Sequence, residues 1–512
     1  MTSRDSNEGD EKRAAKRRKK RERIRAEWAP WLERLEQARE RSREMGGAEK
    51  VERLMHGRGK LDVRQRIEAL FDPGTFSELG SLVGNKADLP ADGFVSGVGR
   101  IEGRPVFAGA EDFTIMAGAS GAGGHYKRYR VAELARQEGA PIVWMLEGAG
   151  ARMGKRTGTP ARTPNDLEPM ADAKGEVPVV CLVLGASAGH GALAAPLSDF
   201  VVMTRKATLF TGGPPLVKAA IGEDVTKEEL GGPEVCVEAA GSVHNLVDDD
   251  DAAVALAREY LGYFPSNRHV AAPRREGGDS GPRQTDELLE IVPPSSRQPY
   301  DVREVIRVLA DGGRFLEIQP DYGRSIVIGC AHLGGRSVGF VANNPAHRGG
   351  ALEASGAIKA TDFIETCSTF GRPLVYLLDN PGVMAGPRSE REGILKWGGR
   401  MYLASRRLKT PKISVLMRKG FGFGLVTMAH MPHDLQTLSL ALPSANIATM
   451  PAQSGGMTAN LDEETRNKIE RAQRGGPYGL ADRLGVDEVV DPRQLRNALL
   501  EGLAMTENRV RR

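Results

Sequence analysis

The stretch Arg372–Gly386, RPLVYLLDNPGVMAG, decides the fold because an upstream stretch, Ala140–Gly154, APIVWMLEGAGARMG, has the same construction. Each begins near a proline, continues with apolar residues typical of a buried strand, and ends in a turn of small residues. A second piece also occurs twice, as Val177–Leu193, VPVVCLVLGASAGHGAL, and as Thr410–Val426, TPKISVLMRKGFGFGLV. The prolines of the first pair are 232 positions apart and those of the second pair 233. This constant spacing predicts two copies of one domain.

The length of the chain agrees with a duplicated domain. A chain of 512 residues and 55.2 kDa accommodates two domains of about 200 residues with extensions. Buried strands that alternate with helices predict an α/β fold with largely parallel sheets and right-handed crossovers. Residues 266–300 are rich in Pro, Gly, Ser and Arg and are the predicted linker. The predicted divisions are a basic tail and helical extension (1–58), an N-terminal domain (59–265), the linker, and a C-terminal domain (301–512).

Local patterns within the first copy predict individual elements. Gly93–Ile101 and Arg104–Glu111 alternate in polarity like the arms of a β-hairpin. The segment Phe113–Gly124 is expected to be a strand that runs into a Gly-rich loop, and a helix is expected over His125–Glu138. Residues 1–25 are expected to be disordered or a fraying helix, because they are strongly polar.

The net charge of +4 is a property of the N-terminal tail. Lys12–Arg25 holds ten Lys or Arg and one Glu, or +9, so the rest of the chain sums to about −5. The body therefore lacks a nucleic-acid footprint. A solvated tail is favoured over a tail that contacts RNA or an acidic partner, although the sequence leaves both open.

The cysteines and the N-terminus predict a cytoplasmic protein without membrane spans. The four cysteines contain no CxxC pair, which argues against a disulfide framework and against a zinc ribbon. The first twelve residues are acidic and lack the apolar core of a signal peptide. The apolar stretch Pro178–Leu197 is interrupted by glycines, which favours two buried elements and a turn over a membrane span.

Three motifs have alternative interpretations. Gly185–Gly189 matches G-x-S-x-G, in which Ser187 would be a hydrolase nucleophile, but a tight strand–helix turn of small residues is the favoured interpretation. The loop Gly118–Gly124 could receive phosphates at a helix N-terminus or be a plain turn. His430 and His433 are three residues apart, but no third ligand is evident, so no metal is predicted.

Two glycine-rich turns, Glu147–Ala151 and Phe421–Gly424, carry the chemical prediction. Small residues at strand–helix turns leave peptide N–H groups unblocked, as is needed to hold a developing oxyanion. One such turn in each copy suits a reaction with two enolate-like partners.

Several stretches resemble one known family, and the resemblance spans most of the chain after the tail. These stretches are Gly59–Ile67 (GKLDVRQRI), Phe71–Phe76 (FDPGTF), Gly213–Gly232 (GPPLVKAAIGEDVTKEELGG), Asp379–Gly386 (DNPGVMAG) and Val486–Pro492 (VDEVVDP). On these residues the sequence resembles the carboxyltransferase (beta) subunits of biotin-dependent acyl-CoA carboxylases, the propionyl-CoA and methylcrotonyl-CoA carboxylase group, and Gly213–Gly232 leans towards the methylcrotonyl type.

The resemblance implies two tandem crotonase-like domains of the ClpP/crotonase ββα-superhelix kind, in a homo-oligomer expected to be a hexamer. Active sites would form between the N-domain of one subunit and the C-domain of another, one binding acyl-CoA and the other carboxybiotin. Carboxybiotin would release CO₂, its ureido anion would take the α-proton, and the enolate would attack CO₂. No Ala-Met-Lys-Met occurs, so the biotin is expected on a partner biotin carboxylase/biotin carboxyl carrier subunit.

The resemblance also implies site residues. The first oxyanion hole would be formed at Ala149 and Gly150, and the second at Phe423 and Gly424. The predicted CoA-binding residues are Gly121, Lys127, Arg130, Ala188 and Gly189, and the predicted acyl and biotin pocket residues are Gly382, Val383, Gly422 and Val426.

Departures from the family pattern leave alternatives. Glu147 begins the first turn where the family usually has Asp, Phe423 replaces a usual Gly, and Val426 replaces an Asp of short-chain relatives. An apolar Val426 predicts a longer or branched acyl chain. The alternatives are a carboxyltransferase of a biotin-dependent membrane decarboxylase, a serine hydrolase, and a non-catalytic scaffold paralogue.

Overall fold

The computed structural model describes residues 4–85, 88–152, 165–275, 277, 279–430, 432–433, 435–473 and 475–509. Within them the chain forms two large mixed sheets, one in each half, and a small two-stranded parallel sheet in the N-terminal half, and helices pack against both large sheets. The strands of the N-terminal half are β1 Ser77–Glu78, β2 Phe94–Ile101, β3 Arg104–Glu111, β4 Ile142–Leu146, β5 Val179–Val183, β6 Ala186–Ala188, β7 Phe200–Thr204, β8 Thr208–Phe210 and β9 Asn245–Val247. The helices of that half are α1 Arg4–Arg43, α2 Ala48–Leu54, α3 Val63–Leu70, α4 Ala122–Glu138, α5 Leu167–Ala173, α6 Gly189–Ala192, α7 Pro214–Ile221, α8 Lys227–Gly231 and α9 Asp250–Tyr263.

The C-terminal half repeats this order of elements. Its strands are β10 Phe315–Ile318, β11 Ile326–Leu333, β12 Arg336–Asn343, β13 Leu374–Asn380, β14 Lys412–Phe421, β15 Leu438–Ala441, β16 Asn446–Ala448 and β17 Glu488–Val489. Its helices are α10 Leu288–Ile291, α11 Val302–Leu309, α12 Ala354–Thr369, α13 Pro387–Arg391, α14 Ile394–Arg407, α15 Gly422–Thr427, α16 Ala452–Thr458, α17 Glu463–Gln473, α18 Tyr478–Ala481 and α19 Leu495–Ala504.

The two sheets share one topology. The first has the order β1-β2-β3-β4-β5-β7-β9, and the second has β10-β11-β12-β13-β14-β15-β17. In each, an antiparallel hairpin (β2–β3 or β11–β12) is followed by parallel strands. The central parallel strands β4, β5 and β13 are fully buried, as expected for apolar runs covered by helices on both faces.

A buried lysine marks the same position in both crossover helices. Lys127 in α4 and Lys359 in α12 are each at most 4% exposed, and each amine donates to two main-chain carbonyls. The acceptors are Ala91 (3.0 Å) and Phe94 (2.5 Å) for the first lysine, and Gln319 (2.9 Å) and Tyr322 (2.6 Å) for the second. Repetition of so specific an arrangement identifies the halves as copies of one unit.

Aromatic packing joins the two halves. The rings of Tyr260 and Phe264 in and after α9 stack at 4.4 Å, and the ring of Phe370 meets Phe264 edge-on at 5.7 Å. The guanidinium of Arg372 lies 4.3 Å from the centre of the Phe264 ring. These side chains are fully buried, so the halves share a core rather than touching across a wet interface.

The structure confirms some predicted elements and corrects others. The hairpin is confirmed, with strands over Phe94–Ile101 and Arg104–Glu111. The strand predicted from Phe113 up to the Gly-rich loop is wrong, because the chain already turns at Met116–Gly118 with positive φ angles. The tail is helical from Arg4 onward. The four cysteines are free and buried.

The predicted linker follows the surface of the C-terminal half. Arg283 donates to the carbonyl of Val308 at 2.7 Å, and the buried Arg496 donates to that of Gly281. In the part of the chain that the structure describes, no helix has both the length and the apolar character needed to cross a bilayer.

Candidate functional site

In each half, one strand leads directly into a short helix, and the two strand–helix junctions lie at equivalent positions. In the N-terminal half β6 leads into α6, and β6 pairs in parallel with β8. In the C-terminal half the end of β14 leads into α15 and pairs in parallel with β16. The equivalent residues are therefore Gly189 and Gly422, followed by His190 and Phe423. The first amides of a helix have no partner within it, so both helices offer N–H donors at the end of a strand.

The strand register agrees with the repeat spacing of the sequence. Ser120 N–H donates to Gly150 O at 2.8 Å, and Leu352 N–H donates to Gly382 O at 3.1 Å, in the same bridge of each half. Gly150 therefore corresponds to Gly382, as the 232-residue spacing of the first repeat predicts. The glycine-rich turns Glu147–Ala151 and Phe421–Gly424, one in each copy, thus lie at different positions of the repeat.

The N-terminal turns bring two predicted site residues together. Gly150 has φ +88°, and a Cβ there would lie 3.0 Å from Ala188 O and 3.6 Å from Gly189 Cα. Gly189 has φ +59°, so both positions favour glycine. The predicted oxyanion turn and the predicted CoA-binding residue Gly189 thus form one surface.

Two of the predicted donors in this region are engaged within the protein. Ala149 N–H donates to Ala117 O, and Ala188 N–H donates to Gly148 O, each at 3.0 Å. These hydrogen bonds fix the turns against each other.

The C-terminal turn is held by Asn380. Its Oδ1 accepts the Gly382 N–H at 2.8 Å, and a Cβ at Gly424 would lie 2.5 Å from its Nδ2. Gly422 has φ +56°. A side chain at position 424 therefore collides with Asn380, which orients Gly382, so two predicted site residues depend on this one amide side chain.

Larger side chains surround this turn. Phe423 is 38% exposed, and its ring lies 6.1 Å from that of Tyr402. Val426, on the next turn of α15, and Val383 are half-buried. Phe423 thus presents an aromatic surface where His190 stands in the other half.

The predicted phosphate-binding cations do not converge. Burial lowers the pKa of Lys127 to about 8, and its amine is bonded to the two carbonyls described above. Arg130 is exposed and paired with Glu133. Gly121 is the N-cap of α4, where a Cβ would lie 2.4 Å from the guanidinium of Arg152. Arg152, which the sequence did not single out, contacts this loop, since its guanidinium donates to Ala119 O at 3.0 Å.

The acids at the ends of β4 and β13 form buried ion pairs. Glu147 accepts from Lys60 and from Arg66, the latter at 2.6 Å. Asp379, its counterpart, accepts from Arg418 at 2.7 Å. Burial lowers the pKa of Lys60 even though Glu147 opposes the shift. These pairs hold both turns rigidly, because a buried charge that loses its partner is strongly destabilising.

The geometry around Ser187 does not fit a hydrolase. Ser187 lies within β6, is 1% exposed, and points its Oγ at Gly185 O at 3.3 Å. A nucleophile must be accessible and hydrogen-bonded to a base, so the tight-turn interpretation of this motif is the one that the structure supports.

The structure brings together a polar cluster that the sequence did not reveal. His125 Nδ1 and His190 Nε2 both lie at hydrogen-bond distance from Asp166 Oδ1, at 3.1 and 2.7 Å. Burial raises the pKa of Asp166, but the hydrogen bonds from the two histidines outweigh it and hold that pKa well below its usual range. By contrast, His430 is buried against Ser414 and His433 is exposed, so that pair forms no joint site.

A cavity of about 640 Å³ opens beside Gly189. Leu193, Leu209 and Phe210 line its apolar side, and Asp362 of α12 faces them from the C-terminal half. It offers the N-terminal turn room for an extended ligand.

The chain is similar to proteins of established activity. Residues 55–512 match a family model described as a carboxyl transferase domain. The methylmalonyl-CoA decarboxylase subunit alpha of Veillonella parvula is 34% identical over 472 residues, covering 90% of this chain and 92% of that relative. The biotin-dependent acetyl-/propionyl-coenzyme A carboxylase beta5 subunit of Mycobacterium tuberculosis is 34% identical over 511 residues, covering 94% and 92%.

A solved structure is also similar. It is transcarboxylase 12S, described as a hexamer assembly with methylmalonyl-coenzyme A and methylmalonic acid bound. It has a TM-score of 0.86 and 34% sequence identity, and the match covers 93% of this chain and 95% of that chain.

Proposed function

Because this chain belongs to the carboxyl transferase family, we propose that it moves a carboxyl group from carboxybiotin on a partner chain to an acyl-CoA. The acceptor is the α carbon of the thioester, or its vinylogous γ carbon. The family resemblance and the two tandem crotonase-like domains predicted from the sequence are confirmed by the family match and the transcarboxylase 12S structure. The chain is thus a carboxyltransferase of the biotin-dependent type.

One observation carries the mechanistic proposal: each half presents a helix N-terminus at the end of an equivalent strand. We assign the thioester enolate to the N-terminal turn, where the Gly150 and Gly189 amides would donate to its oxygen. The amides of Phe423 and Gly424 would donate to the ureido oxygen of biotin. A preorganised donor of this kind contributes about 3 kcal/mol to transition-state stabilisation.

The chain's own residues then have defined tasks. Carboxybiotin, when bound, supplies both CO₂ and the base that takes the α-proton, so no side-chain base is required. Asn380 keeps the second turn in place through Gly382 and Gly424. The buried pairs of Glu147 and Asp379 hold the strand ends from which both turns start.

Because the two turns lie in different halves of the chain, two subunits can share one active site. We propose a hexamer, as described for transcarboxylase 12S, in which the N-terminal turn of one subunit faces the C-terminal turn of another. The biotin would be carried by a biotin carboxylase/biotin carboxyl carrier subunit. The acyl group is proposed to be long or branched, because the half-buried Val426 and Phe423 present apolar surface beside the second turn.

The relative from Veillonella parvula supports one second candidate. Its name assigns it to a decarboxylase, and the residues proposed here would serve transfer in either direction. The partner chains would then decide the direction.

Reconstitution tests the proposal. The purified chain is mixed with a biotin carboxylase, a biotinylated carrier protein, ATP and labelled bicarbonate, and a panel of acyl-CoAs from acetyl to branched long-chain is offered. Fixation of label on one acyl-CoA, abolished by omission of the carrier, is expected. A folded chain that labels no acyl-CoA, and that decarboxylates none of the corresponding carboxyacyl-CoAs onto biotin, would refute catalysis and favour the scaffold paralogue.

A further inference from the structure

The cluster of His125, Asp166 and His190 has the make-up of a metal site. The three side chains come from α4, from the residue before α5 and from α6, and their ligand-capable atoms all lie within 4.8 Å of one another. The two imidazole rings are 4.6 Å apart and nearly perpendicular. The first and last of these residues are 65 positions apart in the sequence, so they form no short metal-ligand motif.

The hydrogen bonding of the cluster is incomplete. Asp166 is 1% exposed, and its buried Oδ2 has no hydrogen-bond partner among the residues that the structure describes. A buried carboxylate oxygen without a partner is costly, and native proteins rarely leave one so. The two histidine side chains are 20% and 24% exposed, so the cluster is open on the imidazole side. An ion could therefore enter at that side and satisfy the carboxylate.

The ligand types and distances select the kind of ion. Bonds from imidazole nitrogen and carboxylate oxygen to transition metals such as zinc are about 2.0–2.2 Å, so two ligands are about 3.4 Å apart in a tetrahedral site and about 2.9 Å apart at the right angles of an octahedral site. The observed separations from Asp166 Oδ1, 3.1 Å to His125 Nδ1 and 2.7 Å to His190 Nε2, lie nearer the octahedral spacing. Two imidazoles and one carboxylate suit zinc, iron, cobalt or nickel better than magnesium or calcium. We propose that these three side chains bind one divalent transition-metal ion and leave its remaining positions to water or substrate.

The proposed ion is confined to the N-terminal half. His190 corresponds to Phe423, and His125 corresponds by the 232-residue spacing to Ala357, so the copy in the C-terminal half lacks both imidazoles. Since His190 follows Gly189 in the first turn of α6, the ion would add positive charge beside the proposed position of the thioester.

Binding of cobalt and zinc tests the site without requiring carboxyl transfer. Tag-free full-length chain is stripped with a chelator and titrated with Co²⁺, followed by visible absorption, and then with Zn²⁺, followed by calorimetry. One ion per chain is expected, with Zn²⁺ displacing the Co²⁺ spectrum. His190→Phe, which copies the other half, and Asp166→Asn should each weaken binding at least about 100-fold. His269→Ala, at an exposed histidine outside the cluster, should bind like the parent.

Two results would overturn the proposal. The first is the absence of a stoichiometric Co²⁺ spectrum in the parent, which would leave a purely hydrogen-bonded cluster. The second is unchanged affinity in His190→Phe. If Asp166→Asn does not fold, His125→Asn tests the same site from a partly exposed position. A chain that binds Co²⁺ but transfers no carboxyl group would support the metal site and refute the proposed function. A chain that transfers the carboxyl group but binds no Co²⁺ would refute the metal site and support the proposed function.

Discussion

Replacement of Gly424 by alanine tests the second oxyanion turn. A Cβ at this position would lie 2.5 Å from Asn380 Nδ2 and 2.7 Å from Asn380 Cγ, well inside contact distance. Asn380 is fully buried and accepts the Gly382 N–H, so it has no free direction in which to move. We therefore expect α15 to shift, so that the N–H groups of residues 423 and 424 no longer point at the oxygen they would stabilise.

Gly424→Ala is expected to lower both kcat and folding stability, for two separate reasons. Loss of one oxyanion donor lowers kcat about 10²- to 10³-fold, or roughly 3–4 kcal/mol. Overpacking of a buried site costs about 1–3 kcal/mol of folding stability. Gly424→Ala should thus lower kcat at least about 100-fold and lower the melting temperature by several degrees.

The assay is steady-state carboxylation of the acyl-CoA found in the reconstitution, with melting followed by calorimetry. Gly399→Ala is the matched control, because no atom lies within 4 Å of a Cβ at that position in the middle of α14. The control should be as active as the parent and slightly more stable. Full kcat in Gly424→Ala, in a protein that folds, would refute the assignment of this turn to catalysis.

Three further predictions concern other positions. Ser187→Ala should retain carboxyl transfer, since its Oγ only meets Gly185 O within the fold; loss of all activity in a stable variant would revive the hydrolase interpretation. Val426→Asp should shift the ratio of kcat/KM values towards short-chain acyl-CoAs in the same panel, and an unchanged ratio would remove Val426 from the acyl pocket. Burial raises the pKa of Asp199 to about 6. Between its ordinary pKa and pH 6, the folded chain therefore keeps a proton that the unfolded chain has released. The free energy of unfolding falls as the pH rises through this window. Asp199→Asn, which can still accept the Val179 N–H, should therefore gain on the order of 2–3 kcal/mol over the parent in urea unfolding at pH 7.5 and much less near pH 4; an equal gain at both pH values would contradict the assignment.

The sequence predicted the duplication because strand periodicity and proline spacing survive in it. Arg372–Gly386 and Ala140–Gly154 both contain the predicted buried strands, β13 and β4, and both end in the predicted turns. The predicted N- and C-terminal domain ranges enclose the two sheets. Hydrophobic runs of this kind are decided locally, which is why they could be read without the structure.

The site was less accessible from the sequence because it depends on long-range contacts. The 233-residue repeat already aligns Gly189 with Gly422, but the hydrogen bonds of Lys127 are made to carbonyls 33 and 36 positions away. Asp166 meets His125 through the packing of α5 against α4. Long-range contacts of this kind leave no local pattern.

The N-terminal helix has a hydrodynamic consequence. α1 has 40 residues and a length of roughly 60 Å, and every residue from Lys12 to Arg34 is exposed. Its anchorage to the body begins at Ala38, whose carbonyl accepts from Asn85. A rod-shaped helix attached at one end raises the frictional coefficient of the protein proportionally more than it raises its mass. The intact chain will therefore sediment more slowly than a version that begins at Glu44, and the two will share one cooperative melt, because the rod contributes drag without belonging to the core.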